Sequence, residues 1–270
     1  MLEMRKLTAR RLSEGVEAAV ELIERVIGFL KVHLAVHSYD LVPYEAQFLA
    51  LAGFFRDSGE PTARQSASLM RWFWTASLNE DMQGRSEHQV ARIVEQMQHL
   101  RSGRVKGLKG RLVLDISALK DRRFRWGAAL SSALASMLAK KRCRSLITGS
   151  EISVDEYMTK AGGDAFVGLA SAEGVKQALG KYVPAGKVIA NAVVAALGER
   201  GTLRSMSPLQ LLRNLKQEHP EDWEQILESQ LIPPSALEAL VKGRVDTFLN
   251  RRAEAILEFA RTLAFPSAEA

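Results

Sequence analysis

Five histidines and one cysteine are the side chains of this sequence best suited to metal binding or nucleophilic catalysis. His33 and His37 are four residues apart, a spacing that puts two imidazoles on one face of a helix. The intervening residues include no glutamate base and no third ligand is evident, so we expect no metal site there. Cys143 lies between cations that could activate a thiol, but no histidine is near it in sequence, which favours a structural role. A single cysteine also excludes an internal disulfide.

Glycines at 103, 107 and 110 alternate with cations, which at first suggests a phosphate-binding loop. Such a loop ends in Gly-Lys-Ser/Thr and leads directly into a helix, and this spacing is absent here. We therefore expect no bound nucleotide and no other cofactor.

Positive charge is concentrated in one stretch of the sequence. The whole chain carries a net charge of +6, whereas residues 101–144 contain thirteen Lys or Arg against two Asp, a net charge of +11. This asymmetry points to a polyanionic partner, and we expect duplex DNA. The cations that we predict to contact it are Arg122, Arg123, Arg125, Lys140, Lys141 and Arg142. The alternative is a solvated basic face without a ligand.

The segment Arg71-Trp72-Phe73-Trp74 is the most distinctive motif in the sequence. Consecutive residues of a helix are rotated by 100 degrees, so one narrow stripe cannot bury all three aromatic rings. At least one ring must therefore reach a neighbouring element or the surface. Core packing is the predicted main role, with base stacking or a partner interface as alternatives. Arg71 could bind either a carboxylate or a phosphate.

Several motifs together resemble the C-terminal half of the GmrSD-type restriction family. They are Arg71–Leu78 with Gly84, Leu41–Glu45, Leu231–Pro233 and Phe248–Ala253. Members join an N-terminal ParB-like nucleotide-hydrolysing domain to a C-terminal HNH (His-Me finger) nuclease and cut foreign or modified phage DNA. The resemblance implies a type IV restriction endonuclease in an intact member. Here we expect the ParB-like domain to be absent, because the sequence begins where the family's central helical region begins.

The HNH motif itself is degenerate in this sequence. Val188–Asn191 matches the family's middle element, and the spacing of the last element puts Arg200 at the position of an asparagine. The nearest replacement for the family's paired histidines is the segment around Asp164, and no histidine lies between Ser150 and Asn191. An HNH site needs a histidine base and a metal ligand. We therefore expect no catalytic residue and no metal, with Asp164 and Asn191 as weak remnants and Arg200 as a phosphate contact.

The apolar spacing predicts a mostly α protein. We expect a helical bundle over residues 1–100, a flexible basic connector over 101–120, and a C-terminal helical domain over 121–270 that keeps the outline of the HNH region. Within these parts, a long first helix carries Leu12, Val16, Ile23, Leu30 and Leu34, another spans about 121–141, and one long helix ends the chain. No apolar run is long enough to span a bilayer, so we expect a cytoplasmic protein without membrane contact.

These expectations combine into one leading function and two alternatives. The leading hypothesis is a non-catalytic, DNA-contacting component or fragment of a GmrSD-like restriction or phage-defence system, whose ParB-like NTPase is a separate chain or has been lost. The first alternative is a protein-interaction or inhibitory subunit that docks on an intact nuclease. The second is a residual metal-dependent DNA nuclease.

Overall fold

The fold is mostly α, as the apolar spacing predicts. The structure is a computed structural model that describes the backbone of residues 9–57 and 59–265 and the side chains of residues 15–57 and 59–265. The α-helices in the described part of the chain are Ala9–Leu34 (α1), Glu45–Phe55 (α2), Ala63–Leu78 (α3), Glu87–Arg101 (α4), Ile116–Asp121 (α5), Ala129–Lys140 (α6), Val154–Ala161 (α7), Ala172–Leu179 (α8), Arg200–Ser205 (α9), Pro208–Glu218 (α10), Trp223–Ser229 (α11), Pro234–Val241 (α12) and Val245–Ala264 (α13). Two short strands, Phe166–Gly168 (β1) and Ala192–Val194 (β2), pair antiparallel.

Capping boxes fix where several helices begin. At the start of α4, Ser86 accepts a hydrogen bond from the backbone N–H of Gln89, whose side chain accepts one from the Ser86 backbone. The same reciprocal pair opens α10 at Ser207 and α3 at Thr62. Each box satisfies two N–H groups that the first turn of a helix would leave unpaired.

Among the first four helices, α2 packs against both α1 and α4. The closest approach is between α2 and α4, where a Cβ on Gly53 would lie 2.7 Å from the Val94 Cγ1, so glycine is required. The stripe of α1 is buried only in its second half, at Leu30 and Leu34, whereas Val16 is 56% exposed. The predicted contribution of Leu12 lies outside the described side chains.

The aromatic motif lies within α3 and is buried, which agrees with its predicted core role. Phe73 and Trp74 pack edge to face with their ring centroids 5.7 Å apart, and Trp74 is 1% exposed. Trp72 is 9% exposed and lines a groove between α3 and α4. All three rings are covered because α3 is central, with α6 and α13 also packing against it. The Arg71 guanidinium lies over the Phe265 ring, 5.3 Å from its centroid.

The predicted flexible connector is instead fixed along α3. The Leu108 N–H donates a hydrogen bond to the Ser68 hydroxyl at 2.7 Å, and Asn79 bonds the backbone of Arg111 and Val113 at 2.7 and 2.8 Å. A Cβ on Gly110 would lie 2.7 Å from the Thr75 hydroxyl. Glycines here allow close backbone approach to a helix, which is a different use from flexibility.

The predicted helix over 121–141 was wrong at its start. Residues 122–128 are extended and turned, and α6 begins only at Ala129. Gly127 adopts a φ of +74°, a left-handed conformation that interrupts a helix. The predicted single last helix was also wrong, because α12 ends at Val241 and α13 begins at Val245 after Gly243, whose φ is +72°.

Helix α13 packs against helices from both halves of the described chain. It packs against α3, α5, α8 and α12, and buried residues from Val26 to Ala264 belong to a single hydrophobic cluster. The division at residues 100 and 120 stays a prediction. None of the helices among the described residues has the length and hydropathy needed to cross a membrane.

Candidate nucleic-acid interface

The loop between α5 and α6 presents arginines outward because its backbone is extended. Phe124 donates its N–H to the Lys187 carbonyl at 2.9 Å, and the Ile189 N–H donates to the Arg122 carbonyl at 2.9 Å. Side chains alternate between faces along extended backbone. The Phe124 ring therefore points inward, with its centroid 4.2 Å from that of the Phe166 ring, while Arg123 and Arg125 point to solvent.

Two of these arginines are available for an external anion. The exposed side chains of Arg123 and Arg125 make no hydrogen bond or ion pair with the residues that the structure describes. Arg122 is partly neutralised, because its guanidinium lies 3.1 Å from the Glu80 carboxylate. The loop also precedes the amino-terminal end of α6, where no side chain caps the first turn and the helix dipole favours anions.

A second group of charges adjoins this loop. The Asp164 carboxylate lies 3.9 Å from the Lys187 Nζ and 4.0 Å from Arg200 NH1, which also donates a hydrogen bond to the Asp164 carbonyl at 3.0 Å. Burial lowers the pKa of Lys187, and although Asp164 opposes this shift, the charges of Arg204, Arg200 and Arg123 lower the pKa further. Lys187 and Arg200 thus flank one exposed carboxylate, and Arg123 and Arg204 lie near enough to Lys187 for their charges to lower its pKa. We call Arg122, Arg123, Arg125, Lys187, Arg200 and Arg204 the basic surface.

Local structure explains how Asp164 and Arg200 come together. Asp164 precedes β1, β2 pairs with β1, and the chain then turns through Gly198 into α9, which begins at Arg200. The two positions that the sequence analysis aligned with the first and last elements of the HNH motif are therefore neighbours. Their contact is an Arg–Asp pair, and the sequence reasoning missed both Lys187 beside it and Arg204, whose charge acts on Lys187.

Asn191 occupies a structural position and is fully buried. Its Oδ1 accepts a hydrogen bond from the Ala170 N–H at 2.7 Å, and its Nδ2 donates to the carbonyls of Ala170 and Gly186 at 3.0 and 2.9 Å. These three bonds occupy both amide hydrogens and the oxygen. The side chain joins the loop after β1 to the turn before β2, and it has no donor left to position a base or a metal-bound water.

Three predicted DNA contacts lie at the opposite end of α6 from the α5–α6 loop, about 18 Å away for a helix of this length. They are Lys140, Lys141 and Arg142. Each has a partner within the protein. Lys140 donates to the His33 carbonyl at 3.0 Å, Lys141 lies 5.1 Å from the centroid of the Phe259 ring, and Arg142 binds the Glu151 carboxylate at 2.7 Å. Residues of the basic surface such as Arg122 and Lys187 are paired as well, so we leave these three residues out of that surface because of their distance from it.

No metal or thiol site emerges from the described residues. No group of three or more His, Cys, Asp or Glu within them is arranged to hold a metal ion. Cys143 is buried, and burial raises the pKa of its thiol to about 12. The negative charge of Glu151 raises this pKa in the same direction as burial, so the thiol is not activated as a nucleophile.

Arg252 supports the basic surface from within the core, and the sequence analysis missed it. Its guanidinium is fully buried and donates to the carbonyls of Ala190, Ala192 and Gln230 at 3.2, 2.6 and 3.3 Å. Burial lowers the pKa of Arg252 to about 9. It thus binds both the 3₁₀ turn Ile189–Asn191 and the strand β2 that follows it. The signal in the sequence was an arginine on the apolar face of a helix, four residues from both Phe248 and Ile256.

No protein-family model, curated protein or solved structure matches this chain.

Proposed function

We propose that the protein binds duplex DNA through the basic surface and does not cut it. The observation that supports this most directly is the convergence of cations from the α5–α6 loop, from Lys187 and from α9 on one face. Like charges repel, so assembling them costs stability unless an anion relieves the repulsion. A phosphate backbone presents regularly spaced anions and fits this requirement.

The surroundings of Asp164 favour binding over hydrolysis. A metal-dependent nuclease needs carboxylates free to hold a cation and a base near the attacking water. Here the carboxylate lies between a lysine and an arginine, which would compete with a divalent metal for it. The same two cations can bind a DNA phosphate, and Arg200 can do so through two parallel hydrogen bonds.

At the level of the system, we propose a non-catalytic component of a GmrSD-like restriction or phage-defence system, with a ParB-like NTPase as a separate chain. This extension rests on the sequence motifs, and the rings of Phe73 and Trp74 in one of them are buried in the core and so cannot themselves contact DNA in this structure. A protein-interaction or inhibitory role would be indicated if the chain bound a nuclease partner but not DNA.

The test is fluorescence anisotropy with a labelled duplex over a range of salt concentrations. The triple variant Arg123→Ala/Arg125→Ala/Arg204→Ala removes three cations of the basic surface. If each contacts one phosphate, the slope of log K against log salt should become shallower by up to about 2.7 units.

A matched control removes the same charge elsewhere, in Lys140→Ala/Lys141→Ala/Arg142→Ala. We expect its salt slope to change by less than about one unit, because these residues lie at the opposite end of α6 from the basic surface. Equal changes in both triple variants would show that net charge, not this surface, governs binding. Absence of any duplex binding at low salt would refute the proposed function.

A further inference from the structure

Trp126 is the most exposed of the four tryptophans, with 42% of its surface accessible. It follows the arginines of the α5–α6 loop and contributes nothing to the buried cluster. Burying an indole is strongly favourable, so an indole left exposed to water suggests that a ligand or partner covers it.

Glycine backbone holds the ring in place. A Cβ added to Gly162 would lie 3.8 Å from indole atoms Cδ2 and Cε2, so the backbone there packs against one face of the ring. Gly162 has a φ of +53° and Gly163 approaches the Trp126 Cβ. The Gly163 carbonyl in turn accepts a hydrogen bond from Lys187 at 3.1 Å. The indole is therefore already fixed beside the basic surface in the unbound protein, which lowers the entropy cost of stacking a base on it.

The remaining indole surface borders a cavity of about 340 Å³. Its walls include Trp126, Arg122, Arg123, Arg125, Glu80 and Gln83, whereas the glycines that support the ring lie outside it. This volume is at the lower end of the range for small-molecule sites, about 300 to 1,000 Å³. It suits one planar group, with cations at the rim to bind an attached anion.

We propose that this cavity binds an unpaired nucleotide, with its base stacked on Trp126 and its phosphates on Arg123 and Arg125. Every nucleobase offers a π face, and stacking on an aromatic side chain tolerates any sequence. Bases within a duplex are already stacked on their neighbours, so the ligand is a single-stranded segment of nucleic acid. An acidic peptide would satisfy the arginines but would leave the indole face uncovered.

This inference rests on the proposed function, which it deepens by adding a single-stranded segment to the ligand. The test uses labelled oligo-thymidylate and a strand of equal length that carries abasic sites throughout. The two have the same phosphate charge, so any difference in affinity reports the bases. Trp126→Ala should weaken oligo-thymidylate binding by about 5- to 100-fold and leave binding of the abasic strand unchanged.

Two further variants control for folding and for aromatic exposure in general. Trp126→Phe keeps a stacking ring and should retain most of the affinity. Tyr39→Ala removes an exposed aromatic that does not line the cavity and should bind as the wild type does. A thermal midpoint for Trp126→Ala close to that of the wild type verifies that the fold is intact.

The outcomes separate this inference from the function on which it rests. If Trp126→Ala binds oligo-thymidylate as tightly as the wild type while salt-dependent duplex binding persists, stacking is refuted and the proposed function stands. If the wild type binds neither strand nor duplex at low salt, the proposed function itself fails. An equal loss with oligo-uridylate would support stacking and extend the ligand to single-stranded RNA, whereas a loss confined to oligo-thymidylate would support stacking and restrict it to DNA.

Discussion

Replacing Asn191 with alanine distinguishes a structural residue from a catalytic remnant. The substitution removes three buried hydrogen bonds, of 2.7, 3.0 and 2.9 Å, and leaves the N–H and C=O of Ala170 and the C=O of Gly186 without this partner. At about 1 to 1.5 kcal/mol for each bond, we expect the free energy of unfolding to fall by about 3 to 5 kcal/mol. That is a large fraction of the stability of a typical domain.

The measurement is urea unfolding followed by circular dichroism, with Asn250→Ala as the control. Asn250 makes one exposed hydrogen bond to Asp246 within α13, so its replacement should cost less than about 0.5 kcal/mol. If Asn191→Ala unfolds at the same urea concentration as the wild type, the reasoning from its buried bonds is wrong.

Asn191→Asp adds a test by pH. A carboxylate at this position would face the carbonyls of Ala170 and Gly186 in a dry interior, so its pKa in the folded protein should rise above the unfolded value of about 3.9. The folded state then binds more protons than the unfolded state. Stability should therefore fall as the pH rises from about 4 toward 7, a trend that alanine at this position should not show.

Three further outcomes follow from the structure. In urea unfolding, we expect Trp74→Ala to lower the free energy of unfolding by about 3 to 5 kcal/mol, and Trp72→Ala to lower it less because Trp72 borders an open groove. Unchanged unfolding midpoints in both variants would show that the motif is not part of the core. Because the pKa of Lys187 is lowered, DNA affinity measured by anisotropy should fall as the pH rises through that lowered value toward 10.5. The variant Lys187→Arg should keep its charge and its affinity over the same range. If wild type and Lys187→Arg lose affinity in parallel, Lys187 does not contact the DNA. On gels, the purified chain should leave plain and glucosylated phage DNA uncut with Mg²⁺, Mn²⁺ or Ni²⁺, with or without NTP; nicking abolished by Asp164→Ala would overturn the non-catalytic proposal.

Local sequence signals predicted the helices that begin with their own caps. Ser86 with Gln89 and Ser207 with Pro208 mark α4 and α10 because the capping bonds join residues only three positions apart. Such contacts need no knowledge of the rest of the chain. The central position of α3 could not be predicted in this way, since the burial of all three rings around Trp74 depends on α6 and α13.

The α5–α6 loop, residues 122–128, shows why this segment was wrongly predicted to be helical. Residues 121–141 include apolar residues at helical spacing from Leu130 onward, and Phe124 extended the apparent stripe backward by almost two turns. A pairing with residues 187–189 instead keeps this segment extended. The alternation of Arg123, Phe124 and Arg125 is the short period-2 signal that would have predicted it.

Charge density along the sequence identifies a class of partner but not the residues that meet it. Within the block of thirteen cations, availability depends on tertiary partners: Arg142 is held by Glu151, and Lys140 by a backbone carbonyl of α1. Arg123 and Arg125 stay available because an extended backbone turns them outward, away from Phe124. The residues that complete the basic surface come from outside the block and are brought to it by the pairing of β1 with β2. An interface for a polyanion can therefore be assigned only after each cation has been matched with its partners in the fold.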